Sequence, residues 1–182
     1  MLIGLCGRAG SGKSSVARYL IENFHAERIA FADPLKKIAM DLWGFSSEQV
    51  YGEANVKETV DPRWGISPRV AMQRLGQSVR DHLGENTWTD HALDRSILGQ
   101  LCVIEDVRYV NEARRVAARG KLIRLHCEDS ISTDAGSHPS EAEVDLIPAS
   151  IVAYEIIGSR KTGLDDLFKQ IDRVMESFGV HK

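Results

Sequence analysis

The sequence predicts an α/β fold in which one parallel sheet is covered by helices on both faces. Apolar runs typical of buried strands alternate with stretches of helical periodicity, and this alternation is characteristic of parallel sheets. The first apolar run leads through a glycine-rich segment directly into a helical pattern, which indicates a β-loop-α unit. A length of 182 residues suits a single domain over residues 1–182.

The segment Gly7–Ser14 carries the strongest chemical signal. It follows the strand-like run Leu2–Cys6 and matches the phosphate-binding pattern G-x-x-x-x-G-K-[ST]. In this pattern backbone N–H groups surround phosphate oxygens at a helix N-terminus, Lys13 reaches the terminal phosphates, and Ser14 binds Mg²⁺. A glycine-rich turn that merely caps the helix is the alternative. The predicted nucleotide-binding residues are Gly7, Ala9, Gly10, Ser11, Gly12, Lys13, Ser14 and Ser15.

A second strand and a second helix follow the first helix. The strand is predicted over Arg28–Phe31, and the helix is expected to begin with Asp33 as N-cap and Pro34 in the first turn and to end near Gly44. Asp33 has two interpretations, a helix cap or a carboxylate at the carboxyl end of a strand. Ligands collect at that end in open α/β sheets, so Asp33 could orient a substrate hydroxyl or phosphate.

Residues 45–65 are polar and weakly periodic and are predicted to be a loop-rich insertion beside a substrate pocket. Ser67 and Pro68 then begin a helix as N-cap and first helical residue. Its apolar stripe consists of Met72, Leu75, Val79 and Leu83. The residues beside that stripe suit binding of a phosphate and a base edge, with a solvated helix face as the alternative. They are Arg69, Gln73, Gly76 and Arg80, whereas Arg74 points the opposite way.

The next helix is predicted over Asn86–Leu98, and Trp88 on it is either a core residue or a stacking wall for a base. A buried strand then ends in Glu105 and Asp106. An acid at this position holds Mg²⁺ in phosphate-binding-loop enzymes, and Arg108 follows closely enough to meet the same phosphates. A structural ion pair between Asp106 and Arg108 is the alternative.

The remaining chain supplies two strands and two helices. A helix over Asn111–Arg119 is expected to end at Gly120, and strands are predicted over Lys121–Cys127 and Ile151–Ile157. The last helix has an amphipathic pattern from Leu164 to Phe178. The acidic segment between the two strands, 128–150, is either a flap over the site or an ordinary surface excursion.

Composition and charge argue against several classes of protein. With 43% hydrophobic and 27% charged residues, disorder is not expected. A net charge of −3 argues against a nucleic-acid binder, and no apolar run approaches the ~20 residues of a membrane span. Cys6, Cys102 and Cys127 are expected to be reduced, mostly buried thiols of a cytoplasmic protein, with a disulfide or zinc site as the alternative.

Together these residues resemble the deoxynucleoside monophosphate kinases of bacteriophages, which have the P-loop nucleoside monophosphate kinase fold. The resemblance covers most of the chain in order. It depends on the phosphate loop, Phe31–Lys36, Ser67–Arg69 with Gln73, Gly76 and Arg80, Asp106–Tyr109 with Asn111–Ala113, and His138 with Ser140 and Glu141. It implies a P-loop NTPase three-layer sandwich around five parallel strands, with an acceptor-binding insertion over 45–100 and a flap over 128–150.

The resemblance also implies ATP with Mg²⁺ as phosphate donor and a deoxynucleoside monophosphate as acceptor. The catalytic residues implied are Lys13, Asp33, Arg80 and Arg108. Those implied to bind substrate are Asp33, Arg69, Gln73, Arg80, Trp88 and Arg108. Ser14 and Asp106 would hold Mg²⁺. A kinase for another small phosphorylated metabolite and a slow nucleotide-hydrolysing switch are the rivals, and a homodimer is left open.

Two features depart from the family pattern. Residues 128–150 contain no arginine, although kinases of this fold usually bring arginines over the phosphates from that segment. The cations that would serve instead are Arg108 and Arg80, or alternatively Arg114, Arg160 and Lys161 from nearby elements. The second departure is Gly158–Lys161, which replaces the usual polar turn near the donor base.

Overall fold

Five strands form one parallel sheet in the computed structural model, which describes residues 1–96, 99–128, 143–159 and 161–182. The strands are β1 (Leu2–Cys6), β2 (Glu27–Ile29), β3 (Cys102–Val107), β4 (Lys121–Cys127) and β5 (Tyr154–Gly158). Their order is β2-β3-β1-β4-β5, and every neighbouring pair is parallel. The predicted parallel sheet is confirmed.

The described part of the chain also contains eight α-helices. They are α1 (Lys13–Phe24), α2 (Ala32–Trp43), α3 (Ser47–Tyr51), α4 (Ala54–Glu58), α5 (Pro68–His82), α6 (Thr87–Asp94), α7 (Val110–Arg119) and α8 (Gly163–Ser177). A helical turn at residues 143–145 and a 3₁₀ turn at Ala149–Ile151 precede β5. None of the described helices is long and apolar enough to cross a membrane.

The chain divides into two compact units, and the larger consists of Met1–Ala30 and Ala92–Lys182. Helices α1 and α8 pack on one face of its sheet, and α7 lies on the other, where Val116 packs beside Gly4. The core on the first face includes Ile3, Leu5, Leu20, Leu125, Ile171 and Met175. With neighbours on both edges and helices on both faces, β1 is buried over its whole length.

The smaller unit, Phe31–His91, is helical. Its hydrophobic cluster consists of Ala39, Phe45, Val50 and Ala71. Between α4 and α5 the chain turns around Asp61, which is 4% exposed. The Asp61 carboxylate accepts hydrogen bonds from Arg63 Nε at 2.9 Å and from Gln49 Nε2 at 3.1 Å. The turn therefore has a buried, charge-paired centre.

Several element bounds differ from those that the sequence predicts. Strand β2 ends at Ile29, and β5 begins only at Tyr154 because residues 149–151 form a 3₁₀ turn. Residues 45–65 contain α3 and α4 rather than loop alone. The capping box of Ser46 and Gln49 at the start of α3 is the local signal that marks the first of these helices.

Two helix ends form for reasons other than those expected. The N-cap of α2 is Phe31, so the prediction that Asp33 caps this helix is wrong, and Asp33 lies in its first turn. Gly120 follows α7 as predicted, but its φ of −163° is not left-handed. A Cβ at this position would lie 2.1 Å from the Leu2 carbonyl oxygen, so close chain approach explains the glycine.

Candidate active site

The loop between β1 and α1 has the backbone shape that an anion cradle needs. Gly7, Gly10 and Gly12 have φ values of 146°, 76° and 95°, which residues with a Cβ rarely adopt. A Cβ on Gly7 would also lie 2.3 Å from the Leu125 carbonyl oxygen of β4. The loop ends where α1 begins, so N–H groups and the positive end of the helix dipole are available to an anion.

Lys13 curls back over this loop. Its Nζ donates to the Gly7 carbonyl at 2.6 Å and to the Arg8 carbonyl at 2.8 Å, which holds the ammonium above the loop. Ser14 in the first turn of α1 is exposed. Ser11 is 6% exposed, and its Oγ has no hydrogen-bond partner among the described residues.

A β-bulge interrupts the pairing of β3 with β1 at the two acidic residues of β3. Gly4 pairs with Ile104 and Cys6 with Val107, so Glu105 and Asp106 together stand opposite the single Leu5. Both acids therefore lie within β3, which continues to Val107, whereas the sequence predicts that the strand ends at these acids.

Glu105 is held beside α1 by an ion pair. Its Oε1 accepts from Arg28 Nε at 2.8 Å. The pair lines an open cavity of about 460 Å³ together with Ser14, Ser15 and Arg18. A carboxylate thus shares a cleft with the predicted Mg²⁺-binding serine. Within the described ranges, no group of three or more His, Cys, Asp or Glu side chains is arranged to hold a metal ion.

Glu112, for which the sequence predicts no role, fixes the segment that carries Arg108. Glu112 is 2% exposed, and its Oε2 accepts the backbone N–H of Arg108 at 2.8 Å and that of Tyr109 at 3.1 Å. A glutamate at the third position of a helix is the sequence signal for such a cap. The backbone of Arg108 is therefore positioned, while its side chain is exposed.

A second cavity, of about 210 Å³, opens between the first residues of the loop and the carboxyl end of β4. Its lining includes Arg8, Ser11, Arg124, His126, Cys127 and Asp145. Burial raises the pKa of the adjacent Cys6 thiol, and the Arg124 guanidinium opposes that shift. Cys6 and Cys102 are buried, as predicted, and all three cysteines are free.

The candidate acceptor residues on α5 lie in the smaller unit. The helix is continuous from Pro68 to His82, so the predicted line of Arg69, Gln73 and Arg80 shares one face. Arg69 Nε lies 3.2 Å from Glu58 Oε1, and Arg80 Nη1 donates to the Glu85 carbonyl at 3.4 Å. Gln73 is exposed.

Gly76 and Trp88 serve packing within that unit. A Cβ on Gly76 would lie 3.3 Å from Leu35 Cδ2, so the glycine allows the close approach of α2, and close approach of a ligand stays a prediction. Trp88 is 7% exposed, and its indole N–H donates to the Gly76 carbonyl at 3.2 Å. Of the two interpretations of Trp88, this geometry favours the packed one, and its role in substrate binding stays a prediction.

Some predicted site features lie outside the described residues. They are His138, Ser140, Glu141 and Arg160, together with most of the flap expected over 128–150. Of the other proposed substitutes for flap arginines, Arg114 is exposed on α7. Lys161 follows β5 and is also exposed, with its backbone N–H donated to Ser159 Oγ at 3.1 Å.

The chain is similar in sequence to a protein named as a kinase and in fold to solved structures. A protein of Acanthamoeba polyphaga mimivirus named "Putative deoxynucleotide monophosphate kinase" is 36% identical over 186 residues, which cover 94% of each chain. TT1252 from Thermus thermophilus, at 16% identity, aligns over 97% of both chains with a TM-score of 0.53 and thus shares the fold. The shikimate kinase of Aquifex aeolicus, at 14% identity, aligns over 98% of both chains with a TM-score of 0.49. No family model matches the chain.

Proposed function

Since the chain belongs to the deoxynucleotide monophosphate kinase family, we propose that it transfers the terminal phosphoryl group of ATP to the 5′-phosphate of a deoxynucleoside monophosphate. The observation that carries this proposal is the cradle at Gly7–Ser14, with three left-handed glycines, a lysine held above them and a helix N-terminus behind. Phosphoryl transfer requires little covalent chemistry from the protein. Positioning and charge neutralisation supply most of the rate, and this cradle offers both.

The donor side consists of the loop and its lysine. Backbone N–H groups of the loop bind the phosphate oxygens, and Lys13 exchanges the carbonyls of Gly7 and Arg8 for the terminal phosphates. The oxygen ligands that Mg²⁺ prefers are present in the Ser14 hydroxyl and the Asp106 carboxylate, which would hold it. When bound there, Mg²⁺ supplies positive charge to the phosphates.

The acceptor side is assigned to α5. Arg69 and Arg80 bind the acceptor phosphate, because guanidinium groups match phosphate oxygens in bidentate geometry. Gln73, on the same helix face, contacts the base, and Asp33 orients the acceptor. Arg108, whose backbone Glu112 fixes, neutralises charge on the transferred group.

The assay that tests the proposal measures ADP release from ATP against a panel of deoxy- and ribonucleoside monophosphates. We expect release to depend on a deoxynucleoside monophosphate and to fall about 10²- to 10³-fold in Lys13→Ala, because a cation at the developing charge is lost. Lys169→Ala, at an exposed site on α8, is the control and should match the unaltered chain. ADP release that ignores every acceptor would instead indicate a nucleotide-hydrolysing switch.

The same assay separates the two substrate sides. Arg80→Ala should raise the acceptor KM about 10- to 100-fold, the loss expected for a charged hydrogen bond, and change the ATP KM much less. Arg74→Ala is the matched control, because Arg74 is exposed on the same helix but off the proposed face. A larger effect of Arg80→Ala on ATP than on the acceptor would remove Arg80 from the acceptor side.

A further inference from the structure

Arg8, the residue after the first glycine of the loop, is tied to a distant part of the larger unit. Its Nε donates to Asp145 Oδ1 at 3.1 Å, and its Nη2 donates to Oδ2 of the same carboxylate. The pair is therefore bidentate and joins the phosphate loop to the helical turn at 143–145. Both side chains remain accessible, with 66% of Arg8 and 48% of Asp145 exposed.

The two arginines beside the phosphate loop differ in how accessible they are to a ligand. Residues 128–150, which follow β4, contain no lysine or arginine. The cavity beside the loop is lined by Arg8 and Arg124. Arg124 is held in place, since its Nη1 donates to Glu155 Oε1 at 3.0 Å, its Nη2 donates to the Ile147 carbonyl, and its side chain is only 12% exposed. Arg8 is the accessible arginine of this cavity.

We propose that Arg8 and Asp145 form a charge latch, in which the Arg8 guanidinium leaves the Asp145 carboxylate and binds the terminal phosphate of the nucleotide held in the loop. Two N–H···O bonds to a carboxylate are exchanged for N–H···O bonds to a phosphate, and no covalent bond changes. Arg8 thereby supplies the cation that residues 128–150 lack. The proposal rests on the proposed function only for the identity of the phosphate donor.

The exchange is favoured by charge. An exposed arginine–carboxylate pair contributes little to stability, so little is lost when it opens. A polyphosphate carries several negative charges and accepts the same planar fork of donors. Arg8 holds the pKa of Asp145 below its ordinary value, so this carboxyl is ionised at neutral pH and competes with the phosphate for Arg8. Asp145 therefore limits the affinity of the loop for anions.

Calorimetric titration of the full chain with inorganic tripolyphosphate tests the latch. Asp145→Asn should bind tripolyphosphate about two- to fivefold more tightly, because one competitor for the Arg8 guanidinium is removed. Arg8→Gln should bind it about tenfold more weakly, because a charged contact is lost. In the Arg8→Gln background, Asp145→Asn should tighten tripolyphosphate binding less than it does when Arg8 is present, because the latch requires Asp145 to act through Arg8.

Asp94→Asn measures the effect of removing one remote charge. Asp94 pairs with Arg119 at 3.7 Å. Arg119 precedes Gly120, which lies against the start of β1. The phosphate loop follows the other end of β1, so Asp94 is remote from it. If Asp145→Asn binds tripolyphosphate no more tightly than Asp94→Asn does, or if it tightens binding equally with and without Arg8, the pair is structural and the latch is overturned. The titration uses no acceptor and no turnover, so its outcome is independent of the ADP-release assay.

Discussion

Trp88 is anchored by a hydrogen bond as well as by packing, which decides what its substitution should do. Trp88→Phe keeps an aromatic ring but removes the donor to the Gly76 carbonyl and leaves a small void. We expect the free energy of unfolding, measured by urea denaturation, to fall by about 1–2 kcal/mol. The acceptor KM should change less than twofold, because the ring is buried.

Trp64→Phe is the matched control for that substitution. Trp64 also donates its indole N–H to a backbone carbonyl, that of Trp43, at 2.8 Å, but it is 49% exposed. It should therefore lose less stability than Trp88→Phe. A tenfold rise in acceptor KM in Trp88→Phe, without loss of stability, would instead support the stacking wall.

At the residue scale, contacts between residues close in sequence could be predicted, whereas contacts between residues far apart in sequence could not. The loop residues from Gly7 to Ser14 form one continuous motif, so their backbone geometry followed from their spacing. Asp145 lies 137 residues from Arg8, and no local pattern marks such a pair. The packing of Gly76 against Leu35 could not be predicted, because Leu35 comes from another helix.

At the element scale, the turn around Asp61 makes the smaller unit sensitive to acid. Hydrogen bonding from Arg63 holds the pKa of Asp61 well below its ordinary value of 3.8, although burial opposes the shift. A depressed pKa means that the unfolded chain binds the proton first as the pH falls. The contribution of Asp61 is therefore complete above its ordinary pKa and is lost progressively at lower pH.

Melting temperature against pH checks this contribution. We expect Asp61→Asn to melt below the unaltered chain at pH 7, and the difference to shrink as the pH falls below the ordinary pKa of 3.8. Asp41→Asn, at an exposed site on α2, is the control for the loss of one carboxylate. A difference that stays constant down to low pH would mean that the Asp61 carboxylate is not the titrating group.

The elements with strong periodicity or capping signals were predicted best. Helix α5 begins after Ser67, whose Oγ accepts the Val70 N–H, as the Ser-Pro pair indicated. Edge strand β5 was placed too early because Ile151 ends a 3₁₀ turn, and a run of apolar residues does not distinguish such a turn from a strand. For α2, the Asp-Pro pair marked the helix but not its first residue.

At the scale of the whole molecule, the family assigned from the sequence is confirmed by the 36% identical relative, which comes from a mimivirus rather than a bacteriophage. The chain divides into two compact units, with the smaller one continuous in sequence between Ala30 and Ala92, and the expected single domain stays a prediction. Composition and periodicity did not mark this division, because no linker composition separates the units. Each unit has its own buried apolar cluster.

Separate clusters predict that a core lesion acts within its own unit. Val50 is fully buried in the cluster of the smaller unit, so Val50→Ala should cost about 2 kcal/mol through lost contacts and a residual cavity. Hydrogen exchange should then accelerate for amides of residues 31–91 and stay slow in β1, β3 and β4, because local opening follows cooperative units. Val116→Ala, at an equally buried site of the larger unit, should give the reciprocal pattern. Equal acceleration throughout both units in either variant would mean that the chain opens only as a whole.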